Sequence, residues 1–165
     1  MAIISDKIVQ LMNYRIEQEE ASSRLYKAMA VWLDFHGFSG AAKVWYRYSE
    51  EELVHKEWAY QYLLDLNIKP TTPSLEKPQN DYKGLANIVA LSLKHEIEVT
   101  DQCKALATAA HTEGDFMTLE LAMRYLKEQV EELSKTQAWV DKLNSYGDDK
   151  IALRLLDNEM AESVN

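Results

Sequence analysis

EEELVHKE, residues Glu50–Glu57, places three consecutive carboxylates and an imidazole inside a stretch that otherwise has the spacing of a packed helix. A helix in a left-handed bundle buries positions separated alternately by three and four residues. From Ser39 onward that rule selects Ala41, Trp45, Tyr48, Glu52, His55, Ala59, Tyr62 and Leu66. Two ionisable residues, Glu52 and His55, therefore fall on a stripe that is meant to be buried.

The rest of the chain has the composition of long helices. Its 165 residues are 47% hydrophobic and 27% charged, with three prolines and five glycines. That supports one globular, all-α domain over residues 1–165. A formal charge of −9 gives a field that repels nucleic acid and anionic membranes and attracts cations. The single cysteine, Cys103, excludes an internal disulfide or a CxxC metal knuckle. No apolar run spans a bilayer and MAIISDKIVQ is not a secretory leader, so a cytoplasmic location is expected.

The breakers divide the chain into five helices. The first is expected over residues 5–35, from Ser5 as N-cap to His36-Gly37, and the second over 39–67. NIKPTTPSLEKPQNDY holds all three prolines and cannot be helical. Further helices are expected over 81–111 and 115–145, separated by Gly114, and a short fifth over 148–163 after Gly147. Short first and third connections make antiparallel neighbours, while the Pro-rich link can travel the length of the bundle. The expected fold is a four-helix bundle with a long crossover between its second and third helices and a short C-terminal fifth helix.

The other stripes repeat the anomaly. They read Ile8, Met12, Arg15, Glu19, Ser22, Tyr26, Met29, Leu33 in the first helix and Leu85, Val89, Ser92, Glu96, Val99, Cys103, Leu106, Ala110 in the third. The fourth reads Ala122, Tyr125, Gln129, Glu132, Thr136, Trp139, Leu143. A shift of 77 carries Glu19 onto Glu96, Glu52 onto Gln129 and His55 onto Glu132. Two α-hairpins facing each other across a pseudo-two-fold axis would converge these groups at mid-bundle. Buried carboxylates without partners are costly, and divalent cations satisfy several at once, so a two-metal site is expected. Tyr26, on the Glu19 stripe, is placed to hydrogen-bond a ligand or to pack. His36, His95 and His111 are expected to face solvent, and Cys103 to be a small core residue.

The segments IEQEEASSRLY, YSEEELVH, LKHEIE and LKEQVEEL, with the Pro-containing crossover and short fifth helix, resemble bacterial-type non-haem ferritins over nearly the whole chain. The resemblance implies a ferroxidase centre in which Glu19, Glu52 and His55 hold one iron, Glu52 bridges, and Glu96 with Glu132 completes the second. Gln129 and Tyr26 match further positions of that centre. It also implies a third iron site at Glu51, Glu128, Glu131 and Glu132. Haem is not expected, because Glu131 and Leu53 stand where bacterioferritins, which resemble this bundle, have a histidine and a methionine. Leu119 and Ala122 stand where animal ferritins have acidic channel residues.

By that resemblance Fe(II) is the substrate, dioxygen or hydrogen peroxide the oxidant, and the assembly a homo-oligomeric cage of 24 subunits filled with ferric mineral. Carboxylate-rich sites with one imidazole suit a hard cation. Two alternatives are a di-iron oxidase or oxygenase of the same fold acting on an organic substrate, and a non-catalytic bundle whose polar layer only fixes helix register.

Overall fold

The computed structural model describes residues 3–147 and 149–164; Met1, Ala2, Asn165 and Asp148, where the fifth helix is expected to open, lie outside the described residues. Five helices, α1 (Asp6–Phe35), α2 (Ser39–Asp65), α3 (Leu85–Glu113), α4 (Phe116–Tyr146) and α5 (Lys150–Ser163), account for all regular structure among them. Ser5, Asp115 and Asp149 cap α1, α4 and α5 by accepting hydrogen bonds from backbone N–H groups of the first turn. Gly114 ends α3 in the left-handed conformation, at φ 68°.

Several boundaries differ from expectation by two residues or more, α3 ending at Glu113 and α5 opening at Lys150, and two of the differences have a visible backbone cause. α2 stops at Asp65 because Asn67 turns left-handed at φ 57°, allowing the Ile68 N–H to reach back to the Leu63 carbonyl. α3 opens at Leu85 and not at Asp81, because Gly84 adopts φ 143°, a conformation that breaks the helix and suits only glycine.

The crossover sets the topology. Its Thr71 N–H donates to Asn13 Oδ1 near the start of α1, and its Tyr82 ring packs edge-on against Trp32 near the end of α1. The link thus runs the length of α1 before α3 begins. α1 and α2 form one antiparallel hairpin and α3 and α4 the other, with α3 running opposite to α1.

The core falls into two main apolar blocks. At one end Leu33, Trp45, Leu85, Ile88 and Trp139 pack together with Leu156 and Met160 of α5. At the other, Ile8, Met12, Leu63, Leu106 and Ala122 do the same. Every stripe position expected in α1 and α3 is buried. In the last turns of α2, Leu63 is buried while Tyr62 and Leu66 are only half-buried.

α5 is fastened to its own chain. Gly40 lets α2 approach it so closely that a Cβ there would lie 1.9 Å from the Asp157 carbonyl oxygen. The buried Asp157 carboxylate accepts from the Ala41 N–H at 2.8 Å, capping α2, whose own N-cap, Phe38, has no side-chain acceptor. Gly40→Ala must push α5 away and is expected to cost about 1–3 kcal/mol. That is a fall of roughly 3–10 °C in thermal unfolding midpoint; an unchanged midpoint would show that the contact gives way freely.

Candidate metal centre

Between the two apolar blocks lies a polar layer contributed by all four long helices. Glu19, Glu52, His55, Glu96, Gln129 and Glu132 are all buried there. Ligand atoms of Glu19, Glu52 and His55 lie within 4.8 Å of one another, and so do those of His55, Glu128 and Glu132. His55 belongs to both groups and joins the two halves.

Neighbours hold these side chains in place. His55 Nδ1 lies 3.2 Å from Glu52 Oε2, its ring leans on Trp58, and Tyr125 Oη donates to its backbone carbonyl at 2.6 Å. Glu96 is turned toward neutral donors: the Tyr26 hydroxyl donates to its Oε1, and Gln129 Nε2 donates to its Oε2 at 3.0 Å. Glu19 is paired differently. Arg15, itself only 1% exposed, donates from Nε to Glu19 Oε1 at 2.8 Å, and its Nη2 lies 2.7 Å from the same oxygen. Glu19 Oε2 is buried with no hydrogen-bond partner. An unpartnered buried oxygen on a carboxylate that groups with Glu52 and His55 fits a site that takes a cation.

The layer resists being charged in the absence of metal. Burial pushes the Glu96 carboxyl up to about 7, more than Tyr26 pulls it down, and burial pushes Glu132 up to about 7 against the pull of Lys135. Glu52 is raised well above the carboxylate range by burial and then by the charges of Glu19 and Glu96. Burial lowers the His55 imidazole and so favours its neutral, metal-binding form. Arg15 is held above its ordinary value: burial alone would lower it, but the Glu19 charge and hydrogen bond more than offset that.

The four acids expected at a third site are not all together. Glu128 joins His55 and Glu132, while Glu131 is exposed and lies outside both groups. Glu51 is half-buried, bonded to Arg47 Nε at 2.9 Å, with Lys135 Nζ 3.8 Å away. The same ammonium lies 3.5 Å from Glu132, so it stands between two of the expected ligands.

Sequence reasoning left three neighbours without a role. Arg15 is on the α1 stripe four residues before Glu19, and Lys135 is three residues after Glu132; both spacings are those of helical ion pairs. His95 is not solvent-facing as expected: its Nε2 lies 2.7 Å from Ser22 Oγ and its ring stands edge-on to Tyr26. It points 100° or so away from Glu96, but that direction faces α1. His36 and His111 are exposed, and Cys103 is buried.

A family model described as a ferritin-like domain matches residues 9–146. The chain is 30% identical over 159 residues to a bacterial non-heme ferritin of Escherichia coli, covering 96% of each chain. It is likewise 30% identical over 158 residues to a probable bacterial non-heme ferritin-like protein of Haemophilus influenzae, again covering 96% of each. Among solved structures, an open pore ferritin from the archaeon Archaeoglobus fulgidus superposes with a TM-score of 0.94 at 31% identity over 98% of both chains.

Raised carboxyl groups make the metal-free protein most stable when they are protonated. The contribution of Glu96 and Glu132 is present in full below about 4.5 and is lost as pH rises through about 7. His55, whose folded value is lowered, acts in the opposite sense as pH falls below its ordinary range. Thermal midpoints of the metal-free protein at pH 6 and pH 8, compared with those of the Glu96→Gln, Glu132→Gln double variant, separate the two. The variant is expected to lose much of the decline between these pH values; an identical decline would place the effect elsewhere.

Proposed function

The chain belongs to the ferritin-like domain family, and from that premise we propose that it is an iron-storage ferritin with a ferroxidase centre inside each subunit. The observation that carries this reading is the buried layer of four carboxylates and one imidazole between two apolar blocks. A register device needs one or two polar groups; this layer converges six side chains from four helices.

In this reading Fe(II) is the substrate. Glu19 and His55 hold one ion, Glu52 bridges, and Glu96 and Glu132 hold the second, with Gln129 and Tyr26 beside it. Two Fe(II) ions side by side supply two electrons together to one dioxygen or hydrogen peroxide. Loading requires the chain to release the protons on Glu52, Glu96 and Glu132, and Glu96 to turn from Tyr26 and Gln129 toward the metal. The labile oxygen ligands then let Fe(III) leave for a ferric oxyhydroxide mineral in a cytoplasmic shell of 24 subunits. Haem has no part in the scheme. Ile151 and Leu155, one turn apart on α5 and 75% and 58% exposed, offer an apolar strip for a neighbouring copy.

Anaerobic Fe(II) titration followed by aeration tests the centre, and elution volume tests the shell. The wild-type protein should take up at least two Fe(II) per subunit, oxidise them rapidly, and elute at hundreds of kilodaltons. Glu52→Ala should abolish rapid paired oxidation, whereas His55→Ala should spare occupancy of the Glu96–Glu132 position. Unimpaired oxidation in both variants would remove the assignment, and a small particle that oxidises an organic substrate would favour an oxygenase.

We further propose that Glu51, Glu128, Glu131 and Glu132 form a third, oxygen-only iron site once Lys135 swings aside. That ammonium side chain is 40% exposed, with solvent beside it. Glu51→Ala combined with Glu131→Ala should then retain two tightly bound Fe per subunit, lose a third and alter the iron-to-oxygen ratio. Three bound Fe with unchanged oxygen consumption would leave these acids as surface charge.

A further inference from the structure

We propose that Arg15 is a positioning residue for Glu19 and a built-in counter-charge that makes the two metal positions unequal. The inference rests on the dinuclear reading above and concerns how that centre fills and empties.

Arg15 cannot act as an ordinary surface cation. Its side chain is buried, Nη1 donates to Gln102 Oε1 at 2.8 Å, Gln102 Nε2 continues to Gln18 Oε1, and the guanidinium carbon lies 5.7 Å from the centre of the Tyr125 ring. Two of its nitrogens converge on one oxygen, Glu19 Oε1. The other oxygen, Oε2, is left buried and unpartnered, on a carboxylate that groups with Glu52 and His55. Held this way, Glu19 offers a metal one oxygen and not two.

The other half of the bundle has no such buried cation: Lys135 Nζ lies 3.5 Å from Glu132, but that side chain is 40% exposed and its charge is screened by solvent. The shift of 77 that carries Glu19 onto Glu96 carries Arg15 onto Ser92. Ser92 is neutral, and its hydroxyl accepts from the Trp45 indole N–H at 2.9 Å and donates to the Ile88 carbonyl, not to the Glu96 carboxylate. Glu96 is held by the uncharged donors Tyr26 and Gln129. Protons on neutral donors cost little to redirect when a metal arrives. A guanidinium keeps its charge throughout, and in a poorly solvated site that charge repels a divalent ion on Glu19. The Glu19 position is therefore the weaker of the two and the one that surrenders its ion first.

Cobalt(II), which does not turn over, reports this without oxidation chemistry. Titration of the assembled metal-free protein, followed through cobalt ligand-field bands, should show two steps per subunit, the weaker of which disappears in Glu19→Ala. Arg15→Gln should tighten that weaker step about tenfold or more while moving the other less. Arg15→Lys keeps the charge but loses the fork, and should leave the step weak with an altered band shape. Arg15→Met, which keeps the stem and removes the charge, gives the same reading should the glutamine variant fail to fold. If the uncharged variants leave both steps within about twofold of wild type and only lower the melting midpoint, Arg15 is structural and the proposal falls. If wild type binds no cobalt, the dinuclear reading falls with it.

Discussion

Several carboxylates must be kept inside a bundle whose remaining core is apolar, and much of the molecule is arranged around that constraint. Two dry blocks, one built on Trp45 and Leu85 and the other on Ile8 and Leu106, clamp the polar layer from either end. They supply the hydrophobic stabilisation that the middle cannot. Without metal, the layer is tolerated through three devices visible in its geometry: protons retained on carboxyl groups, neutral donors such as Tyr26 and Gln129, and the buried guanidinium of Arg15. Each satisfies charge in a way that a divalent cation can replace or must oppose. Any metal entering this layer must therefore compete with protons and hydrogen bonds already held within a few ångströms.

The stripes of α1 and α3 were legible in full because their spacing holds from end to end, so the burial of Glu19 and Glu96 follows from position alone. The α2 stripe was legible as far as Ala59. A strict alternation of threes and fours drifts against a straight helix over many turns, and by the end Leu63 had replaced its neighbours. The true starts and stops at Gly84 and Asn67 depend on backbone angles that residue type permits but does not compel. His95 shows a different limit. A helix in a four-helix bundle touches two partners, so the direction away from one site points into another interface. Partners of Arg15 and Lys135 were at readable spacings, but which carboxylate each chooses is settled by tertiary packing.

Acidic residues next to one another along α2 have unlike surroundings as a result. Glu52 faces the dry layer, Glu51 lies at its rim between Arg47 and Lys135, and Glu50 is exposed. One helical step of about 100° separates each from the next. Three identical side chains in a row therefore differ in burial, in partners and in access to ions.

The crossover has a consequence for how the molecule comes together. It is the only covalent tie between the α1–α2 and α3–α4 hairpins, α5 adding only non-covalent contacts to α2, and the carboxylate layer lies along the seam where they meet. Each hairpin holds local contacts that form early, while the seam closes over long sequence separation and comes late. A metal ion bridging Glu52 and the far hairpin would act as a rivet across that seam, resisting separation of the halves more than fraying within either. Heat that pulls the two halves apart would then be opposed first where such an ion sat.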